Sequence, residues 1–141
     1  MESESIVYGC IRDWPVTDAQ QQRQRSQINV QAIQALPEAD GWELFHRDLF
    51  ACSALDNTMT QSQVIHFGSS YRSIEYEWAL WIQHFENLLK RMCWASAVVH
   101  LETETNGMHT FRWESEHYDD QPNTGDLSVR CVWERDSSLR L

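Results

Sequence analysis

No stretch of this 141-residue chain approaches the roughly 18 consecutive apolar residues that a membrane-spanning helix needs. Its first residues, MESESIVYG, lack both a basic patch and an apolar run long enough for a secretory signal, so the expectation is a cytoplasmic protein with no membrane partner. Basic side chains are few: 11 Lys and Arg stand against 21 Asp and Glu, a net charge of −10. A field of that sign repels phosphate backbones, which argues against nucleic acid and favours a basic protein as partner. The four cysteines, Cys10, Cys52, Cys93 and Cys131, are scattered through apolar runs with no C-x-x-C pair and no Cys/His ligand spacing. They read as reduced core thiols, neither a disulfide framework nor a metal site. Missing too are the G-x-S-x-G, P-loop, H-E-x-x-H and dinucleotide-binding glycine patterns, so no catalytic residue, metal or cofactor is assigned.

What is present is aromatic and periodic. Seven tryptophans are many for this length. Most are expected in a core, and one or two left at the surface would be anchors for a partner. Between Ser73 and Met92, Ile74, Trp78, Trp81, Phe85, Leu88 and Met92 recur at steps of four and three, with Ile82 and Leu89 widening the stripe. That spacing predicts an amphipathic α-helix. Ser73 is its expected N-cap, Glu75 and Glu77 suit the positive end of the helix dipole, and Lys90 and Arg91 the negative end. Burial of Trp and Phe side chains, at roughly 25 cal/mol per Å², makes this the helix around which the fold closes.

Ser5 to Ile11 reads as a strand with Ile6, Tyr8 and Cys10 on one side and Val7 and Ile11 on the other. Apolar on both sides, it belongs in the interior of a sheet, with Gly9 marking a bulge or the close approach of a helix. Trp14-Pro15 ends it, and Thr17 or Asp18 caps a helix over roughly Ala19 to Leu36. The first turns of that helix, AQQQRQRSQ, hold no large apolar residue, so they are expected to project into solvent, with Arg23 and Arg25 on a solvated face. Ile28, Ala32, Ile33, Ala35 and Leu36, with Val30 beside them, supply a modest packing face, and Pro37 and Gly41 close the segment. Trp42 to Phe45 and Leu49 to Ala54 read as two short strands or one kinked strand, with helix an alternative for the second. Gln63 to Phe67 reads as a strand ending at Gly68-Ser69-Ser70, and Leu127 to Glu134 as the last strand, with Leu127, Val129, Cys131 and Trp133 inward.

Ala97 to Glu116 poses a register problem. A two-residue turn at Asn106-Gly107 would set Glu102 opposite Phe111 and His100 opposite Trp113, mixing carboxylates and aromatics on one face. A three-residue loop over Thr105-Asn106-Gly107, with Gly107 in the left-handed region, pairs Glu104 with Met108 instead. Val99, Leu101, Phe111 and Trp113 then share a core face, and His100, Glu102, Glu104, Thr110 and Arg112 the outer one. Because a one-residue slip exchanges the faces, burial selects this register.

This order of elements, joined by short turns, predicts an α+β fold: a mostly antiparallel sheet with two main helices packed on one face, in a single domain over residues 1–141. The two helix-plus-strands units are similar in plan and suggest a pseudo-duplicated helix-plus-three-strands unit, although no residue-level repeat accompanies it.

Three side chains, His100, Glu102 and Glu104, project together from one strand as a set of the kind that ligates zinc, iron or manganese. The chosen register turns His109 away from them, and a solvated or partner-binding strand face is the better reading. His66 and His84, each beside apolar residues, read as structural histidines. The candidate partner-binding strip is mainly acidic: Glu102 and Glu104 on the outer face of the hairpin, Glu114 and Glu116 at its base, Asp119 and Asp120 in the following loop, with Arg112 and Tyr118 among them. Such a concentration of charge would steer and pair with a basic protein.

The segment FGSSYRSIEYEWALWIQHFENLLKRMCWASAVVHLETETNGMHTFRWE, about a third of the chain, resembles the immunity proteins encoded beside bacterial polymorphic toxins of type VI secretion, Rhs and contact-dependent inhibition systems. The resemblance implies a small cytoplasmic α+β domain that neutralises one cognate toxin or effector by stoichiometric binding over its active site or an adjacent surface. It carries over no catalytic residue. Two other classes stand beside it. A small enzyme or metal-binding protein using the His100/Glu102/Glu104 face requires a deep pocket with converging polar groups. A homo-oligomeric adaptor domain, a homodimer in the simplest case, requires exposed Trp residues in a self-complementary patch.

Overall fold

The computed structural model describes residues 4–36, 44–50, 64–104, 107–115 and, for the backbone alone, 132–136. Burial alternates with period two along β1 (Glu4–Arg12), β2 (Val64–Arg72), β3 (Ser96–Thr103) and β4 (Gly107–Glu114). Val7 and Ile11, Ile65, Phe67 and Tyr71, Ala97, Val99 and Leu101, and Trp113 face inward. With β5 (Val132–Asp136) these strands form a five-stranded sheet in the order β2-β1-β3-β4-β5, every neighbouring pair antiparallel. The helices α1 (Ala19–Gln34) and α2 (Trp78–Leu89) join the inward-facing sheet residues in a single core cluster, so both lie on one side of the sheet. This is the expected α+β arrangement, with β1 in the sheet interior as its two apolar sides require. No helix among the described residues is long and apolar enough to cross a membrane.

The apolar stripe of α2 is buried as its spacing predicts: Ile74, Trp81, Phe85 and Leu89 are fully buried, and Leu88 and Met92 nearly so. Trp81 stacks on Phe85 at 5.5 Å, and Phe45 and Trp113 approach this pair edge-on or tilted at 5.2 Å. Trp113 also donates its indole N–H to Glu86 Oε2 at 2.8 Å, pinning α2 to β4. The start of the helix differs from expectation. β2 continues through Gly68, Ser69 and Ser70 to Arg72, so Ser73 must turn the chain in one step; it adopts a left-handed conformation (φ 58°) and makes no side-chain cap. Ile74–Glu77 form a 3₁₀ turn, and α2 proper begins only at Trp78.

α1 is capped by Asp18, whose Oδ1 accepts the Gln20 N–H at 3.0 Å. Its packing face is the larger correction. Arg25 is not solvated: it is 2% exposed and forms a two-pronged ion pair with Asp13, Nε to Oδ2 at 2.9 Å and a terminal nitrogen to Oδ1 at 2.7 Å. One turn on, buried Asn29 donates to the Cys93 carbonyl at 2.9 Å and accepts the Cys93 N–H at 2.6 Å. Arg25, Asn29, Ala32 and Ile33 are thus the buried stripe, at helical spacing, while Ala35 is exposed.

Other expectations shift with packing. Residues 44–50 contain no strand: a turn leads into a 3₁₀ segment (Arg47–Leu49), because Phe45, Leu49 and Phe50 all reach the same core, and only Phe50 bridges to the edge strand at Phe67. Residues 37–43, 51–63 and 116–131, which include the expected Trp42 start, the 51–54 run and the 127–131 part of the last strand, lie outside the described residues. Between α1 and α2 one strand is described, β2, against three after α2, so the described elements do not repeat a helix-plus-three-strands plan. Gly9 sits in regular register with no bulge; a Cβ there would run into the Val98 carbonyl oxygen and the Phe67 ring, so the close approach comes from strand neighbours and not from a helix. In the β3–β4 hairpin, Gly107 is left-handed (φ 79°) as expected, but Glu102 pairs with Met108 and Thr103 with Gly107, two residues from the expected register. An even slip preserves the faces, which is why Val99, Leu101, Phe111 and Trp113 still point to the core side.

Candidate protein-binding face

With both helices on one side, no helix among the described residues covers the other side of the sheet, where the even-numbered residues point. The registers set them in rows across the strands. One row holds Ser70, Ile6, Glu102 and Met108; the next Gly68, Tyr8, His100 and Thr110; the next His66, Cys10, Val98 and Arg112. Glu4 and Arg72 close the end nearest the hairpin turn, and Arg12, Val64, Ser96 and Glu114 close the opposite end.

Tyr8 is the centre of this face. Its ring lies 4.9 Å from that of His100, and its hydroxyl points at the Met108 sulfur at 3.9 Å. His100 Nδ1 and Thr110 Oγ1 are 3.0 Å apart, so the rings are held in place across three strands. Burial, followed by the charge and hydrogen bonding of Glu102, raises the Tyr8 pKa above its ordinary value. Burial and then the Arg112 charge lower that of His100, against an opposing pull from Glu102. With Tyr8 and His100 half-buried and Thr110 buried, the face is partly desolvated at its middle and charged toward its ends. Ile6, 44% exposed, stands open beside this centre.

The expected partner-binding strip is only partly brought together. Glu102 is half-buried beside Ile6 and Met108, and Glu104 is exposed in the adjoining turn. Arg112 lies four residues further along β4 than Met108, about 13 Å from the Glu102 row at ~3.3 Å per residue. Glu114 is exposed at the far end, opposite Ser96. Residues close in sequence are spread over the strand's length, so these four do not make one acidic cluster. Glu116, Tyr118, Asp119 and Asp120 lie outside the described residues.

Metal-ligating and catalytic readings find little geometry to use. Glu104 leaves the strand for the turn and His109 is on the core side, so the His100/Glu102/Glu104 set is not assembled. Among the described residues no group of three or more His, Cys, Asp or Glu is placed to hold a metal ion. An open groove of about 540 Å³ follows α1, lined mainly by glutamines with Asp18, Arg25 and Ile28. Its Arg25 is already committed to Asp13. No protein-family model, curated protein or solved structure matches the chain.

Several residues of the face depart from their sequence reading. Cys10 is half-buried on the open side instead of in the core, whereas Cys93 is buried; Cys52 and Cys131 lie outside the described residues. His66 is exposed on β2, while His84 stacks on Phe45 at 5.9 Å in the structural role expected of it. None of the tryptophans with described side chains is exposed: Trp81, Trp94 and Trp113 are buried and Trp14 and Trp78 half-buried. Among the described residues the exposed large apolar side chains are Ile6, Tyr76 and Leu80. Ile6 and Tyr8 on β1 and Met108 on β4 were missed as site residues because apolar character on a strand reads as burial; the signal lay in having two helices for a sheet with two sides.

Proposed function

We propose that the chain is an immunity-type protein that binds one cognate bacterial toxin or effector in the cytoplasm and neutralises it stoichiometrically, without turnover. The observation that carries this reading is the open sheet face, with an aromatic and aliphatic middle at Ile6, Tyr8 and Met108 bordered by Glu4, Glu102 and Glu104. An apolar centre with a charged rim is the anatomy of a protein-binding surface. The excess of negative charge over the whole chain favours a cationic partner and a fast, steered encounter. Rigid strands carry the contact residues, which suits tight binding with little ordering cost.

The test is co-expression with the product of the gene immediately upstream. Growth arrest by that product alone, relieved by this chain, and a purified 1:1 complex with a Kd of about 1 nM or tighter are the expected results. Protection by sub-stoichiometric amounts of the chain would point to an enzyme instead, and persistent arrest with both proteins expressed would remove the reading.

A further inference from the structure

In the free protein, we infer that the open sheet face is closed by a second copy of the same chain, packed face to face about a two-fold axis that runs across the strands through the Tyr8–His100 row. This inference stands apart from the toxin reading, since it requires no other partner.

The face is polarised along its strands. Among the described side chains, its hairpin end carries Glu4, Glu102 and Glu104 against Arg72, and its opposite half Arg12 and Arg112 against Glu114. A two-fold axis perpendicular to the strands reverses strand direction, so the acidic end of each copy covers the basic end of the other. Glu4 then lies over the Arg12 region of the second copy, and Glu102 comes toward its Arg112. Of the minority charges, Arg72 meets Val64 of the other copy, while Glu114 comes toward its Glu104, one like-charge approach set against the Glu4–Arg12 and Glu102–Arg112 pairs. An axis parallel to the strands would instead lay the acidic end of each copy over the acidic end of the other. Polarity thus selects one of the two face-to-face arrangements.

Apolar content and size agree with this. Ile6 is brought over Cys10 of the other copy, and the Tyr8 rings meet at the axis beside Gly68, the exposed residue paired with Tyr8 where no side chain stands in the way. The five strands, of 9, 9, 8, 8 and 5 residues, present roughly 620 Å² per copy at ~4.8 Å between strands and ~3.3 Å per residue, at the lower end of the ~600–1,000 Å² per partner of specific interfaces. Sheets that pack in this way align within about 30°, a rotation that long Arg and Glu side chains span. A toxin using this face would compete with the second copy, which makes the dimer a resting state of the protein.

Sedimentation velocity of the intact chain from 5 to 500 µM tests the inference, with Glu4→Arg, Arg12→Glu and the Glu4→Arg/Arg12→Glu double variant alongside, and far-UV circular dichroism as the check on folding. The expected result is a species of twice the 16.6 kDa chain mass, weakened at least tenfold by either single reversal and restored by the double one. Ile6→Lys, at a position 44% exposed on this face, is expected to abolish it as well, with the same circular dichroism check on folding. A parent that stays monomeric throughout overturns the inference. So does a dimer indifferent to the single reversals, or one that the double variant fails to restore. If the monomeric parent instead binds a heptaarginine peptide and Glu102→Gln removes that binding, the face belongs to a cationic partner and not to a second copy.

Discussion

The two helices lie on the same side of the sheet and are held there by opposite chemistries. α2 presents Trp81, Phe85, Leu88 and Leu89, all buried, to an aromatic cluster completed by Phe45, Phe67 and Trp113. α1 presents Arg25 and Asn29 before it reaches Ala32 and Ile33, and it is fastened by an ion pair to Asp13 and an amide clamp on the backbone of Cys93. Apolar burial is non-directional and scales with area, so α2 supplies most of the free energy, with the Trp113–Glu86 hydrogen bond as a directional tie. Hydrogen bonds fix position within tenths of an ångström, so α1 contributes less net energy and more definition. Both kinds of cover lie on the closed side of the sheet, and among the described residues neither helix reaches the open side.

The sharpest way to break this comparison is Phe85→Ala. Loss of a ring that touches Trp81, Phe67 and Trp113 is expected to cost about 3–5 kcal/mol in urea unfolding. Asp13→Ala is expected to approach that cost, about 3 kcal/mol, because it strips the buried Arg25 guanidinium of its carboxylate. Replacing both, Asp13→Leu with Arg25→Met, should recover most of the loss, since the desolvated charge leaves with its partner. A double variant as unstable as the single one would mean that the ion pair supplies net energy as α2 does, and the contrast between the helices would fail. The smallest expected effect is at Asn29→Ala, about 1–3 kcal/mol, accompanied by faster hydrogen exchange at the Cys93 amide, whose N–H loses its acceptor.

The same contrast explains what could be read from the sequence. α2 was legible because its apolar residues carry their own period. The anchor of α1 was not, since Arg25 within AQQQRQRSQ has the look of solvent, and its partner Asp13 belongs to a different segment. Carrying the Ala32/Ile33 stripe back by four and seven residues lands on Asn29 and Arg25, the one clue available. In the hairpin, burial dictated which residues face inward but was blind to a shift of two, which leaves both faces unchanged. The candidate site suffered the opposite error. Closeness in sequence suggested a compact acidic strip, whereas an extended strand separates Glu102 from Arg112 and Glu114, and the residues that do meet, Tyr8, His100 and Met108, come from three different strands.

The position of β1 between β2 and β3 also sets a timetable for folding. Ser5 pairs with Tyr71 on one side and with Thr103 on the other, so the strand cannot be completed until most of the chain exists. Closing such long loops brings entropy loss before contact energy, and sheets of this connectivity fold on the order of milliseconds to seconds, more slowly than helical bundles. During synthesis the SIVYGCI strand waits unpaired, apolar on both sides, and is the segment most open to aggregation or to a chaperone. Delay of the sheet, more than weakness of the finished core, is therefore the vulnerability that this strand order builds into the protein.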